Sequence, residues 1–253
     1  MAQIICIANQ KGGVGKTTTA VNLSAALALS EKRTLLIDCD PQANATTGVG
    51  IDKAVLAKTL YHGMIGMAPA VSLIVDSQIE MLKVIPSRVE LIGFEVEMME
   101  ADGKERALKR LVSEVENIFD FIILDCPPSL SLLTVNAMTA AKSLLIPLQC
   151  EFYALEGLGQ LLQTIKRIKQ SLNPSLSIAG ILLTMFDKRT NLSHQVAQDA
   201  EKYFNNLVYT TKIPRNVKLG EAPSFGQPVL LYDAASVGAI SYINLAKEIL
   251  NSQ

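Results

Sequence analysis

The 253-residue chain has almost no net charge, because 23 lysines and arginines stand against 24 aspartates and glutamates. Without a cationic excess there is no global field to attract nucleic acid, so any contact with DNA must come from a local patch. The chain also lacks the roughly 18 uninterrupted apolar residues of a membrane helix, although 49% of its residues are hydrophobic. These absences favour a well-buried protein and argue against a membrane-spanning one.

Cysteines are few, and no leader signal is visible. The four cysteines, Cys6, Cys39, Cys126 and Cys150, have no paired metal-ligand spacing, which predicts reduced thiols in a cytoplasmic protein. The first three residues run directly into an apolar strand pattern, so we expect no signal peptide. No repeat, low-complexity tract or linker is present. The length and pattern therefore predict a single α/β domain over residues 1–253.

The most informative stretch is 11–18, Lys-Gly-Gly-Val-Gly-Lys-Thr-Thr, which lies between an apolar run at 4–8 and a helical pattern beginning near Thr17. A strand, a glycine-rich turn and a helix start are the context of a phosphate-binding loop. Glycines can adopt positive φ, which lets several backbone N–H groups converge on one anion. The spacing predicts that Lys16 binds the β- and γ-phosphates and that Thr17 ligates Mg²⁺.

This loop lacks the first glycine of the general phosphate-loop pattern. Gln10 stands at that position, and a second lysine, Lys11, comes directly before Gly12. The sequence is thus of the deviant Walker A type.

Carboxylates end two predicted buried strands, at 33–38 and 121–125, and Asp40 follows the first of them. Because open α/β sheets bind ligands at the carboxyl ends of their strands, we expect Asp38, Asp40 and Asp125 at the phosphate site. Acids so close to a triphosphate imply Mg²⁺ or a positioned water. Asp125 would hold the water shell of the metal, the Walker B role. A turn cap before Pro41 is the alternative role for Asp40.

The rest of the chain alternates between helix and strand patterns. Apolar periodicity predicts strands at 81–85, 143–148, 178–184 and from 208, and helices at 54–61, near 69–75, and at 89–99, 104–119, 131–141, 155–168, 192–204 and 237–250. Strands separated by helices predict a mostly parallel, twisted sheet flanked by helices.

Seven segments together resemble the Soj branch of the ParA/MinD ATPases: 11–18, 38–42, 124–128, 154–157, 184–190, 213–216 and 221–224. They span nearly the whole chain. Soj-type proteins have no added N-terminal DNA-binding domain, and by this resemblance we expect none here. Two departures are visible, Ala43 where glycine is frequent and Gly220 where serine is frequent. They leave nucleotide binding intact and bear on the flexibility of the switch.

The resemblance implies an Mg²⁺-dependent ATPase with three groups of site residues. Its catalytic residues would be Lys11, Lys16 and Asp40, and its metal site would use Thr17, Asp38 and Asp125. Its nucleotide contacts would be Lys11, Gly12, Gly13, Val14, Gly15, Lys16, Thr17, Thr18 and Asn216, with Thr184, Met185, Pro214 and Arg215 around adenine. Asp40 would orient the attacking water, and Asp38 would support the metal through its water shell. Lys11 would reach across a twofold interface to the partner's phosphates; a contact within one monomer is the alternative.

The resemblance also implies partners. An ATP-dependent homodimer would bind double-stranded DNA without sequence preference and leave it when a ParB-like protein stimulates hydrolysis, so the protein would be cytoplasmic and nucleoid-associated. The DNA contacts would be Lys188, Arg189, Arg215 and Lys218, in loops near the DNA-facing surface; ordinary surface charge is the alternative for each, and binding adenine is a further alternative for Arg215. The cargo is not encoded in this chain.

Two other classes compete with the partitioning switch. A MinD-like membrane-associated positioning ATPase would need a cationic amphipathic helix at the C-terminus, where the last helix carries only Lys247. We therefore expect no membrane partner. An enzyme of small-molecule chemistry, such as the nitrogenase iron-protein type, would need cysteines placed to ligate a cluster between subunits.

Overall fold

A sheet of seven strands forms the centre of the computed structural model, which describes residues 1–151 and 154–252, except for the side chains of 155 and 156. The strands are β1 (Gln3–Ile7), β2 (Thr34–Asp38), β3 (Val75–Asp76), β4 (Leu82–Ile85), β5 (Phe121–Asp125), β6 (Ser143–Gln149) and β7 (Ser177–Thr184). Their order across the sheet is β3-β4-β2-β5-β1-β6-β7. All neighbouring pairs are parallel except β3 with β4. The predicted fold class, a mostly parallel α/β sheet, is confirmed.

Helices cover both faces of this sheet. They are α1 (Lys16–Leu29), α2 (Asn44–Gly48), α3 (Leu60–Met64), α4 (Leu91–Glu97), α5 (Ala107–Ser113), α6 (Leu132–Ala140), α7 (Ala154–Ser171), α8 (Asn191–Phe204), α9 (Val217–Glu221), α10 (Val229–Tyr232) and α11 (Val237–Asn251). Side chains alternate along each strand, so Ile5 and Ile7 pack with α1 and α11, whereas Ile4 and Cys6 pack with helices of the opposite layer. Strands buried on both faces become continuous apolar runs, which explains the sequence of β5.

The register of the central strands places the acids together. Asp38 at the end of β2 is paired with Asp125 at the end of β5, and Ile7 at the end of β1 is the other neighbour of Asp125. The glycine-rich loop leaves β1 at this same edge. The sheet therefore brings the loop and both carboxylates to one place.

The prediction of a helix at 54–61 is wrong. Residues Lys53–Val55 form a 3-10 turn, and α3 begins only after Thr59. The reason is a strong local cap, because the backbone N–H of Thr59 donates to Nδ1 of His62 at 3.2 Å and fixes a helix start within the predicted span. The helix predicted at 104–119 also shortens to a 3-10 turn followed by α5, and Ala70–Leu73 is a 3-10 turn.

The thiol prediction holds, since the four cysteines are free and buried. The sulfur atoms of Cys6 and Cys126 lie 3.3 Å apart on neighbouring strands, and burial raises the pKa of Cys6 well above its usual value. Cys126 therefore contributes packing beside Asp125.

Within residues 1–151 and 154–252, none of the helices is both long and apolar enough to span a bilayer. The helix face predicted at 155–168 begins with Leu155, whose side chain is outside the described part of the chain.

Candidate nucleotide-binding site

The glycine-rich loop has the backbone that anion binding requires. Gly13 has φ of 74° and Gly15 of 88°, values that favour glycine. Gly15 is also the N-cap of α1 and provides no side-chain cap, so the first N–H groups of this helix are available to a ligand. The side chain of Asn9 fixes the loop, donating to the carbonyl of Pro147 in β6 at 2.7 Å and accepting from the backbone N–H of Lys11 at 3.0 Å. Sequence reasoning missed this anchor.

Lys16 lies inside the loop and is only 6% exposed. Its Nζ donates to the carbonyl of Lys11 at 2.9 Å. Burial lowers the pKa of Lys16, and the charges of Asp125 and Asp40 oppose that shift. The acids thus help to keep this lysine cationic in a buried position.

Asp125 is completely buried, and neither carboxylate oxygen has a hydrogen-bond partner within the described part of the chain. Burial, followed by the charge of Asp38, raises the pKa of Asp125 well above its usual value, while the Thr17 hydroxyl and Lys16 favour the charged form. The Thr17 hydroxyl and Lys16 are thus near the carboxylate, but no hydrogen bond of good geometry reaches it from the described residues, and a buried acid in this state calls for a further compensating group. Carboxylate and hydroxyl oxygens are the ligands that Mg²⁺ takes in proteins, so Asp125 and Thr17 fit this cation.

Asp38 has a different environment from Asp125. One oxygen accepts from the backbone N–H and the hydroxyl of Thr46, at 2.8 and 2.7 Å, and the other accepts from the backbone N–H of Asp40 at 3.1 Å. The Thr46 hydroxyl accepts in turn from the backbone N–H of Ser87 at 3.0 Å. Burial raises the pKa of Asp38 to about 6 against these bonds. Asp38 is therefore occupied in fixing the segment that follows β2, and its supporting metal role stays a prediction.

Asp40 lies in a turn, 7% exposed. One oxygen accepts from the backbone N–H of Gln42 at 2.9 Å, so the turn-capping role considered from the sequence is present. Ala43 follows with φ of 56°, a left-handed conformation that costs a residue with a Cβ about 1–2 kcal/mol. A glycine at this position would avoid that strain.

Lys11 forms an ion pair through its Nζ with Glu151, a residue just after β6. Both side chains are partly exposed. The lysine predicted to reach a phosphate is thus held by a carboxylate of its own chain. Glu151 carried no recognisable signal in the sequence, because the pairing joins residues 140 positions apart.

A cavity of about 240 Å³ adjoins the loop. All four residues predicted around adenine line it, as does Asn216, which was predicted as a nucleotide contact; the other lining residues are Gly15, Thr18, Ile213, Leu219, Gly220 and Tyr242. The Thr184 hydroxyl donates to the carbonyl of Val14 at 2.9 Å and so joins β7 to the phosphate loop. Tyr242 in α11 was not predicted; its hydroxyl lies 3.2 Å from that of Thr19, and burial raises its pKa.

A second cavity, of about 710 Å³, is rich in cations and shares Pro214 and Arg215 with the first. We call it the cationic cavity; its basic residues are Lys188, Arg189, Lys212 and Arg215. Three of the four predicted DNA residues thus lie together, and Lys212 was missed. Arg189 pairs with Asp187 at 2.7 Å and holds the pKa of that acid well below its usual range.

Lys218, the fourth predicted DNA residue, lies in helix α9, so the prediction that it falls in a loop is wrong. Asn216 caps this helix by accepting from the backbone N–H of Lys218 at 3.0 Å. The Lys218 Nζ pairs with Glu221 at 3.0 Å and lies 5.4 Å from the centre of the Tyr232 ring. Lys218 does not line the cationic cavity.

Comparison with known proteins extends these observations. A sequence model of the family described as AAA domain matches residues 2–178. The chain is 53% identical to the sporulation initiation inhibitor protein Soj of Bacillus subtilis, with 98% of each chain covered. It is 49% identical to the chromosome partitioning protein ParA of Caulobacter vibrioides, over 99% of this chain and 95% of that one. A solved structure of cobyrinic acid a,c-diamide synthase from Mycobacterium smegmatis, with bound ADP and magnesium, has a TM-score of 0.87 at 35% identity, over 99% of this chain and 95% of the other.

The parallel sheet, the loop without its first glycine and the paired acids define a P-loop nucleoside triphosphatase of the deviant Walker A class. The similarity to Soj and ParA extends over nearly the full length of the chain and identifies the family within that class. The chain belongs to the ParA/Soj family of chromosome-partitioning ATPases. The resemblance drawn from the motifs is confirmed.

Proposed function

We propose that this chain is an ATP-driven switch for chromosome or plasmid partitioning, with ATP and Mg²⁺ bound at the edge formed by β1, β2 and β5. The observation that carries the proposal is Asp125, a buried acid without a hydrogen-bond partner in the described residues, at the end of the strand beside the glycine-rich loop. Such a group suits a cation held next to phosphates.

Each residue of the site has a role in ATP hydrolysis. The N–H groups of residues 12–15 and the ammonium of Lys16 bind the phosphates, and Asp125 and Thr17 hold the cation. When bound, Mg²⁺ neutralises charge on the β- and γ-phosphate oxygens. Asp40 orients the attacking water. Asp38 holds Asp40 in place by accepting a hydrogen bond from the backbone N–H of Asp40.

ATP also controls assembly in this proposal. Lys11 leaves Glu151 and reaches the phosphates of a second subunit across a twofold interface, so the nucleotide joins two copies of the chain. A positive charge supplied by the partner stabilises the charge that develops during hydrolysis, as an arginine finger does in other systems.

The ATP-bound dimer binds DNA through the cationic cavity. The cavity supplies arginine and lysine side chains, which contact phosphates and confer no sequence preference. Two copies in a dimer double the number of phosphates that can be neutralised. A ParB-like partner then stimulates hydrolysis and releases the protein, which would place the chain on the nucleoid in the cytoplasm.

The test measures DNA binding by the Asp40→Ala variant, which we expect to retain ATP, with ATP and with ADP across a salt series. Binding to random-sequence duplex should require ATP and weaken steeply with salt. Adding Arg189→Ala should lower the salt slope by about one for each DNA phosphate that the arginine neutralises. Lys169→Ala, with the same charge change on the exposed side of α7, is the matched control. DNA binding that is equal in ATP and ADP, or absent in both, would refute the DNA step, and vesicle binding would then be measured.

A further inference from the structure

Helix α4 presents an apolar face to solvent. Val89, Ile92, Val96 and Met99 are between 49% and 67% exposed. Their spacing of three, four and three residues places them on one helical face, and backbone bonds from Leu91 to Arg88 and from Met98 to Phe94 continue the helical turns at both ends. We call these four residues the α4 stripe. The opposite face, with Leu91 and Phe94, is buried in the core.

Acidic side chains surround the α4 stripe. Six acids and three basic residues lie between residues 88 and 106, and one of the bases, Lys104, donates to the backbone carbonyl of Met99. Glu97 accepts from the hydroxyl of Tyr61 at 2.8 Å, and Glu90 pairs with Arg88 at 3.0 Å. Glu100 and Asp102 are exposed and take no part in the ion pairs of the described residues. The stripe therefore has a negative rim.

Helix α4 and the turn before it lie against both segments that follow the acids of the site. At one end, Arg88 and Val89 line a shallow cavity together with Pro41 and Gln42, next to Asp40. Farther along the helix, Glu95 accepts from the backbone N–H of Leu133 at 3.3 Å, at the start of α6, the helix that follows Asp125. A ligand seated on α4 would thus contact an element that touches both segments.

The charge of the rim indicates which kind of molecule can bind the α4 stripe. A second copy of the chain docked by twofold symmetry would bring the two acidic rims together, and DNA or an anionic membrane would be repelled. A helix with an apolar face and cationic flanks complements both the stripe and its rim.

We propose that the α4 stripe is the docking surface for a cationic amphipathic helix of the partner that stimulates hydrolysis. This inference rests on the proposed function, because it assigns a surface to the ParB-like partner. Contact at α4 would act on the segments carrying Asp40 and following Asp125, and so on the reacting phosphate.

The experiment uses the full chain and the ParB-like protein encoded in the same genome. Two double variants are compared with wild type, Ile92→Ser with Val96→Ser, and Glu100→Lys with Asp102→Lys. Tyr203→Ser, an equally exposed residue on α8 at the far end of the sheet, is the control. We measure unstimulated ATP hydrolysis, ATP-dependent dimerisation by light scattering, and the partner concentration that gives half-maximal stimulation.

We expect unchanged unstimulated hydrolysis and dimerisation in every variant. The half-maximal concentration should rise about tenfold for the apolar pair, the effect expected of an interface anchor. It should also rise for the charge pair, with a weaker dependence on salt, and stay unchanged for the control.

Three results would overturn the proposal. Wild-type stimulation of both double variants would reject the surface while leaving the proposed function intact. Loss of dimerisation in the variants would assign the stripe to a contact between two copies of this chain. A wild-type chain that the partner neither binds nor stimulates would reject the partner itself, and the proposed surface with it.

Discussion

Replacing Asp125 by asparagine should stabilise the nucleotide-free chain and remove most of the stabilisation by Mg²⁺ and ATP. The carboxylate is buried beside Asp38 without a hydrogen-bond partner among the described residues, and asparagine has nearly the same shape without the charge. An unsatisfied buried polar group costs about 1–3 kcal/mol, more when it is charged. Because the asparagine amide is also an unpaired buried polar group, only the additional cost of the charge is removed, so the free energy of unfolding should rise by about 1 kcal/mol or more. The melting temperature should rise by about 2–4 °C for each kcal/mol in a chain of this size.

Bound Mg²⁺–ATP should reverse the order of stability of Asp125→Asn and wild type. At a concentration of Mg²⁺–ATP about 100 times its dissociation constant, binding stabilises a folded protein by about 2.7 kcal/mol. Wild type should gain that amount and Asp125→Asn much less, since the variant lacks the anionic ligand for the cation. Thermal and urea unfolding in EDTA and in Mg²⁺–ATP would measure both differences.

The control for this experiment is Asp120→Asn, the same chemical change just before the opposite end of β5. Asp120 accepts three hydrogen bonds from Arg33, so its replacement should destabilise the chain slightly rather than stabilise it. If Asp125→Asn is less stable than wild type without nucleotide, Asp125 has a partner and the cation argument is refuted. An equal gain from Mg²⁺–ATP in both proteins would refute it as well.

Other substitutions test separate parts of the structure. Glu151→Gln removes a partly exposed ion pair worth about 0.2–1 kcal/mol and frees its lysine in each of the two subunits, so the ATP-dependent dimer should form at up to about 25-fold lower concentration in sedimentation; an unchanged concentration would contradict the role given to this pair. Gly15→Ala should lose about 1–2 kcal/mol of unfolding free energy because of its φ of 88°. Gly12→Ala, where an added Cβ meets no atom within 4 Å, should lose far less in the same denaturation assay. Arg33 lowers the pKa of Asp120, so the stability from this pair is present above about pH 4, the unfolded value, and is lost as the pH falls through the lower folded value. Acidification from pH 5 to pH 2 should therefore destabilise wild type more than Asp120→Asn, and equal losses in the two proteins would count against the pair.

The parts of the structure that follow from local rules were predictable from the sequence. The runs of β1, β2 and β5 are apolar because both faces of each strand are buried, and their ends mark the edge where the loop and acids meet. Thr184 and Met185 could be placed beside the phosphate loop only through the family resemblance.

Contacts between distant segments could not be predicted in the same way. The pairing of Lys11 with Glu151 and the placement of Tyr242 in the lining of the cavity next to the loop depend on the packing of elements far apart in sequence. The helix predicted at 54–61 failed for a local reason, because apolar spacing carries no information about the reciprocal cap between Thr59 and His62. Lys218 shows the same limit, since Asn216 turns a predicted loop into a helix.

The hydrogen bonds that Thr46 donates to Asp38 affect how the segment between these two residues moves. They join the end of β2 to α2, so residues 39–45 form a short loop closed at both ends by one buried carboxylate. A loop closed over so few residues has little conformational entropy to lose, and its turn at Asp40 and left-handed Ala43 restrict it further. Such a segment has few shapes between which to exchange, so its response to the γ-phosphate should be closer to all-or-none than graded.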